Sequence, residues 1–262
     1  HILVNGIYVM VSLAWYIKQY SLRVKTFEVK EYVNIIKESL PFAVLATVNP
    51  LYFQIDIIML SQLSTYEAIG VYNAAYRIIL FLMVVPVMVR RTVFSRLAAE
   101  YATSIEVFKD SFVSVCRLNT MLAVPISVGI FVLSDKIILL FFSSVYMDSA
   151  VVLRILSISI FFYYLRAVFE AALYAGRLEY QAGFLYAMGT ALNIALDYVL
   201  IRKYSFTGAA YAALFAEVAI FLGYYLVICS RLFKLSYLKT GMKIVISSLL
   251  MGLVVRMADQ FS

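Results

Sequence analysis

Long apolar segments alternate with short polar ones along the chain. Each apolar segment runs for about 20 residues, and 20 helical residues rise about 30 Å, the thickness of the hydrocarbon core of a bilayer. Strands of a membrane barrel would alternate apolar and polar residues over about 10 positions, which this sequence does not do. The pattern predicts an all-α, polytopic transmembrane helical bundle. The predicted spans are 1–17, 38–62, 69–89, 111–133, 150–174, 181–201, 207–229 and 241–257.

Two segments fall outside this simple pattern. The run KIILLFFSSVY, between the fourth and fifth spans, is too short to cross and is predicted to lie at the interface or to lead obliquely into the fifth helix. The first apolar segment has neither a basic n-region nor a small-residue cleavage site, which argues against a signal peptide. We expect instead that the chain begins part-way through a span and is a fragment of a longer protein.

Composition agrees with a membrane protein, since 64% of the residues are hydrophobic and 14% are charged. The net charge of +7 does not indicate nucleic acid, because the basic residues cluster between the spans. Connections on one side carry 14 lysines and arginines, against four on the other side. The positive-inside rule makes the richer side cytoplasmic.

No catalytic or cofactor motif is present. The only histidine is His1, and the two cysteines, Cys116 and Cys229, are far apart and lie in or beside spans. No glycine-rich phosphate loop occurs either. The sequence therefore predicts no catalytic residues, no metal ligands and no cofactor, and energy for any transport would come from an ion gradient or from the gradient of the substrate.

Ionisable residues nevertheless occur inside the predicted spans. A charge at the bilayer centre costs about 2.5–3.5 kcal/mol on insertion scales, so such residues usually face protein or water. Asp197 is nearer an interface and could snorkel. The residues concerned are Asp56, Arg77, Arg166, Glu170, Asp197 and Glu217.

The spacing of the polar residues places them on defined helix faces. Residues three or four apart share one face of a helix. Four spans carry such polar seams: Ser159, Tyr163, Arg166 and Glu170; Tyr186, Thr190, Asn193 and Asp197; Asn49 and Asp56; Asn73 and Arg77. These seams predict a bundle interior that is wet or internally paired. An alternative is purely structural, with Arg166 paired to Glu170 and Asp56 paired to Arg77.

Two stretches resemble a known family. LPFAVLATVNPLYFQIDIIMLSQLSTYEAIGVYNAAYR (40–77) contains Asp56, a short loop with Glu67, and Ala74-Ala75-Tyr76-Arg77. GTALNIALDYVLIRKYSFTGAAYAALFAE contains Asn193, Gly208-Ala209-Ala210 and Glu217. Both resemble Wzx-like O-antigen and capsule polysaccharide flippases of the multidrug/oligosaccharidyl-lipid/polysaccharide exporter superfamily. The family often has Pro and Gly in the second turn, where this chain has Lys203 and Ser205.

The resemblance implies two six-helix lobes around a central cavity that operate by alternating access. Residues 1–17 would end the first lobe, 18–37 form a cytoplasmic loop, 38–229 the second lobe and 230–262 an additional helix. The implied cargo is a polyprenyl-linked oligosaccharide in the cytoplasmic (inner) membrane of a bacterium or archaeon, with polysaccharide polymerases as possible partners. Arg77 would attract the pyrophosphate or sugar acids, while Asp56 would tune that charge or bind a coupling cation, H⁺ or Na⁺.

Further cavity or ion-pathway residues follow from the seams alone: Asn49, Asn73, Arg166, Glu170, Asn193, Asp197 and Glu217. Three other function classes stay open. A drug or small-cation antiporter would need an acid-rich cavity in the other lobe. A membrane glycosyltransferase or acyltransferase would need a large aqueous loop with catalytic acids. A structural membrane protein would have fully paired seams and no cavity.

Overall fold

The computed structural model describes residues 10–12, 15–16 and 52–234. The chain divides into two compact units, His1–Ala43 and Val44–Ser262. In the first unit, residues 10–12 and 15–16 are helical. Most of the predicted span 1–17, the predicted loop 18–37 and the predicted span 241–257 lie outside the described residues. In the second unit the elements are α1 (52–63), α2 (Tyr66–Leu82), α3 (Val84–Thr103), α4 (Ile105–Phe141), a 3₁₀ turn (Ser144–Tyr146), α5 (Ser149–Ala175) and α6 (Glu179–Arg231).

The described helices confirm the predicted all-α membrane bundle. Within the described ranges, four helical stretches are long and apolar enough to cross a membrane: Tyr66–Thr103, Ile105–Phe141, Ser149–Ala175 and Glu179–Arg231. They contain the five predicted spans from 69–89 to 207–229. Helix α4 continues without a break through the start of KIILLFFSSVY to Phe141, and the interfacial position of that run stays a prediction. No Gly or Pro interrupts that run, and Ser134 and Ile138 keep one buried face.

A bend separates α2 from α3 at Met83, and Pro86 explains it. Proline has no N–H, so the carbonyl of Leu82, four residues earlier, loses its helical hydrogen-bond donor. The hydroxyl of Tyr164 donates to this carbonyl at 2.9 Å. The central helix α5 thereby satisfies the backbone group that the proline leaves open.

The 53-residue α6 is a helical hairpin, because its backbone reverses at Ser205, where φ is 52° and ψ is −129°. The two halves run antiparallel: the Tyr224 hydroxyl donates to the Ala182 carbonyl at 3.2 Å. At the reversal, a Cβ on Gly208 would lie 2.2 Å from the Leu200 carbonyl oxygen, so this close approach requires glycine. The hairpin confirms the prediction of two spans here, 181–201 and 207–229.

Helix α5 lies at the centre of the bundle and packs against α2, α3, α4 and α6. Its buried residues belong to two apolar clusters. Residues up to Tyr164 join one cluster with Leu60, Tyr72 and Ile201. Residues from Val168 onward join a second cluster with aromatic side chains of α4. Arg166 stands between the two clusters, so a charged side chain lies within the most buried of the four membrane-length stretches.

Candidate functional site

The first polar group of the bundle centres on Arg166 of α5. Its Nε donates to Glu217 Oε1 of α6, and its Nη1 donates to Glu170 Oε2 at 3.4 Å. Arg90 of α3 donates to Glu170 Oε1 at 2.5 Å. We call Arg90, Arg166, Glu170 and Glu217 the Arg166 network. It joins α3, α5 and the second half of α6.

Aromatic side chains complete the Arg166 network. The Tyr52 hydroxyl donates to Glu217 Oε2 at 2.9 Å, and the Tyr174 hydroxyl donates to Glu170 Oε1 at 2.9 Å. The Arg166 guanidinium carbon also lies 4.8 Å from the centre of the Tyr163 ring and 5.3 Å from that of Tyr186. Two guanidinium groups and two carboxylates therefore form a neutral, hydrogen-bonded set. This part of the seam matches the structural alternative, in which intramembrane charges are paired.

The second polar group is different, because it contains two carboxyl groups and no basic side chain. Asp56 of α1 faces Asn193 and Asp197 of α6. The Tyr72 hydroxyl of α2 donates to Asp56 Oδ2 at 2.5 Å. We call Asp56, Tyr72, Asn193 and Asp197 the Asp56 cluster. Among the described residues, no cation pairs with either carboxylate.

Several buried polar atoms of the Asp56 cluster make no hydrogen bond of ordinary geometry to the described part of the chain. They are Asp56 Oδ1, Asn193 Nδ2 and both carboxylate oxygens of Asp197. Asp56 is 5% exposed and Asp197 is fully buried. Burying unpaired polar atoms is unfavourable, so such a set indicates a place for a proton, an ion or water.

A small, partly open cavity adjoins this cluster. It measures about 30 Å³ and is mostly apolar, and its polar lining residues are Asp56, Asn193, Tyr52, Ser159, Tyr163, Tyr76 and Glu217. A cavity of this volume has room for one or two waters beside those polar groups. Asp56 and Asn193 of one polar group and Glu217 of the other therefore line one cavity.

Arg77 lies elsewhere. It is exposed, whereas its neighbour Tyr76 is buried, so its face of α2 points away from Asp56. Arg77 lines an apolar cavity of about 490 Å³ with Ile78, Phe81, Ile130 and Phe141. The Asp56–Arg77 pair considered from the sequence is therefore wrong. The same face of α2 carries Asn73, which is half-buried.

The other predicted residues divide between the two polar groups. Arg166, Glu170 and Glu217 belong to the Arg166 network, and Asn193 and Asp197 belong to the Asp56 cluster. The expectation that Asp197 could snorkel is wrong, because that side chain is fully buried. Asn49 lies outside the described residues. The cavity and pathway roles of all nine residues stay predictions.

Four contributors to these groups were not predicted from the sequence, and one of them is Tyr174, whose hydroxyl donates to Glu170. Tyr72 donates to Asp56, and Tyr52 donates to Glu217. Arg90 pairs with Glu170. Arg90 reads as a residue of a basic connection, but α3 continues to Thr103 and keeps it in a helix. The contact between Tyr72 and Asp56 was predictable from their depth in the membrane. The two residues lie nearly the same number of residues from the Ser64–Thr65 turn, on opposite sides of it.

The described helices and the two buried polar groups define a polytopic helical membrane protein. The fold is similar to that of the lipid II flippase MurJ in an inward closed conformation, with a TM-score of 0.73 and 20% identity, over 89% of this chain and 50% of that one. It is also similar to a MOP superfamily transporter from Pyrococcus furiosus, with a TM-score of 0.63 and 20% identity, over 87% of this chain and 54% of that one.

Sequence comparison gives the family. The profile of the family described as lipid II flippase MurJ matches residues 2–262, so the chain belongs to that family. A stretch of 115 residues is 26% identical to the teichuronic acid biosynthesis protein TuaB of Bacillus subtilis (strain 168), which is 42% of this chain and 23% of that protein. The chain thus spans about half the length of the transporter structures it resembles. The superfamily indicated by the two quoted stretches is confirmed, whereas its Wzx-like branch is not.

Proposed function

We propose that this protein flips a lipid-linked glycan precursor across a bacterial or archaeal cytoplasmic membrane, by alternating access coupled to a monovalent cation. The observation that carries the proposal is the Asp56 cluster. A purely structural bundle satisfies its buried polar atoms, as the Arg166 network does, whereas the Asp56 cluster leaves several of them open.

The chemistry of the cluster suits H⁺ or Na⁺. Asp56 and Asp197 supply carboxyl oxygens that have no other partner among the described residues, and carboxylate oxygens are the hard ligands that hard cations prefer. Asp56 and Asp197 come from α1 and α6, so an ion held between them bridges two helices. Binding energy that depends on the relative position of these helices can favour one conformation of the transporter.

The cargo side of the proposal concerns Arg77. Its guanidinium has no partner among the described residues, and it borders the apolar cavity of about 490 Å³. Guanidinium groups bind phosphate oxygens through paired hydrogen bonds. An anionic pyrophosphate at Arg77, with an apolar chain beside it, matches both properties of this surface. A cationic drug would meet repulsion there, which disfavours the drug-antiporter alternative.

The family name and the TuaB match favour two cargoes of the same chemical kind. Membership of the lipid II flippase MurJ family favours the lipid-linked precursor of peptidoglycan. The similarity to TuaB favours a polysaccharide repeat unit, with a polymerase as the next protein to receive it. Both are polyprenyl pyrophosphate glycans, so the same residues would serve either one.

Complementation separates these two cargoes. The full-length gene is expressed in cells depleted of their lipid II flippase, and separately in cells that lack the flippase for a surface polysaccharide. Rescue of growth identifies the first cargo, and restored surface polysaccharide identifies the second. Asp56→Asn and Arg77→Ala are expected to abolish rescue at normal membrane levels. Arg202→Ala, whose guanidinium stacks 4.0 Å from the Tyr198 ring, is the matched control and should rescue. Normal rescue by both test variants would contradict the proposal.

A further inference from the structure

The 30 Å³ cavity brings the two polar groups together. Asp56 and Asn193 line one part of it, and Glu217 of the Arg166 network lines another part. Nothing larger than one or two waters fits between them. Charges on the wall of one small buried cavity are screened less than charges in bulk water, because little water separates them.

The charge of the Arg166 network is balanced by one contact in particular. Arg166 is bound by Glu217, and more loosely by Glu170, at 3.4 Å. Glu170 has a second cation, Arg90, at 2.5 Å. Glu217 has no other cation among the described residues, and it receives only the neutral Tyr52 hydroxyl. Glu217 is therefore the principal counter-charge of Arg166 and faces the cavity.

We propose that Glu217 is a positioning residue that sets the cation affinity of the Asp56 cluster by neutralising Arg166. With Glu217 charged, the Asp56 cluster faces a neutral network and keeps its own negative charge for a bound cation. Without that charge, the network carries a net positive charge beside the cavity, and this charge competes with the bound cation. The inference rests on the proposed cation site.

The two single variants Glu217→Gln and Arg166→Gln are expected to change the Na⁺ affinity in opposite directions. Glu217→Gln leaves Arg166 undercompensated and is expected to weaken Na⁺ affinity by about 5- to 150-fold, the usual range of coupling between sites. Arg166→Gln leaves Glu217 undercompensated and is expected to strengthen Na⁺ affinity. A side chain that only supports packing would weaken binding in both variants.

Two further variants serve as controls. The double variant Arg166→Gln/Glu217→Gln removes both charges and is expected to restore wild-type affinity to within about twofold. Glu170→Gln makes the same charge change as Glu217→Gln but leaves the Arg166–Glu217 contact in place. It is expected to weaken binding less, because the cation it frees is Arg90, whose side chain is 25% exposed.

The measurement is the apparent melting temperature of the purified full-length protein against NaCl, with choline chloride holding the ionic strength constant. If wild type shows no Na⁺ dependence, or if Asp56→Asn responds as wild type does, the proposed sodium site fails together with this inference. If Asp56→Asn loses the response but Glu217→Gln keeps wild-type affinity, only this inference is overturned. A double variant as weak as Glu217→Gln also overturns it, since Glu217 would then be a direct ligand or a packing group.

Discussion

Replacing Arg166 with methionine keeps an unbranched side chain of similar length and removes the guanidinium. The substitution abolishes the hydrogen-bonded ion pairs with Glu217 and Glu170 and the stacking on two tyrosine rings. Breaking a buried ion pair by removing one partner costs about 3–5 kcal/mol, because the other charge stays buried. Removing each cation–π interaction adds at least about 0.5 kcal/mol. We expect Arg166→Met to fold with a melting temperature about 8–24 °C below wild type, at about 2–4 °C for each of about 4–6 kcal/mol.

Arg77→Met is the matched control, since it makes the same substitution on an exposed side chain without a partner among the described residues. Exposed substitutions usually change stability by no more than about 0.5 kcal/mol. The assay is thermal unfolding of both full-length variants in one detergent at low and high salt. Salt should change the difference little, because the Arg166 network is buried. Equal melting temperatures for the two variants would refute the assignment of Arg166 as a buried, paired charge.

Two further stability predictions use paired substitutions measured in the same detergent. Gly208→Ala is expected to lower the melting temperature strongly, because the added Cβ would lie 2.2 Å from a backbone carbonyl oxygen. The control Gly129→Ala, whose Cβ would meet no atom within 4 Å, should leave the melting temperature equal or higher. Equal losses in the two variants would contradict this reasoning. Tyr72→Phe removes a donor from a buried carboxylate and should cost about 1.5–3 kcal/mol. Tyr76→Phe removes a bond to a neutral carbonyl and should cost about 0.5–1.5 kcal/mol; the reverse order would be contrary to our reasoning.

Features that depend on one helix were predictable from the sequence. Tyr186, Thr190, Asn193 and Asp197 recur at helical spacing, and all four side chains are buried. Helical periodicity fixes which residues share a face, whatever the neighbouring helices do. The reversal near Ser205 was predictable for a similar reason, because two apolar spans need a turn between them.

Contacts between helices were harder to predict, because they depend on depth and rotation together. Asp56 lies eight residues before Ser64, Tyr72 seven after Thr65 and Arg77 twelve after it. At about 1.5 Å per residue, Arg77 is about 7.5 Å deeper than Tyr72. Its position next to the buried Tyr76 also turns it to another face. Charge complementarity alone suggested the wrong partner for Asp56.

The paired and unpaired polar groups could not be separated by composition. Both contain carboxylates at helical spacing, and both lie inside apolar spans. Glu170 belongs to the paired group because Arg90 neutralises it. Arg90 lies on α3, which extends to Thr103, well past the predicted span 69–89. Neither Asp56 nor Asp197 receives a cation from the described residues.

Equilibrium binding of radioactive ²²Na⁺ to the purified full-length protein tests most directly whether the unpaired acids of the Asp56 cluster bind a cation. The carboxylates of Asp56 and Asp197, joined by Asn193, should give wild type one saturable site that unlabelled Na⁺ displaces. The Asp56→Asn/Asp197→Asn variant, folded by its melting curve, should bind no ²²Na⁺ above background. Saturable binding that persists in that variant, or a wild type with none, would show that these buried acids do not form a sodium site.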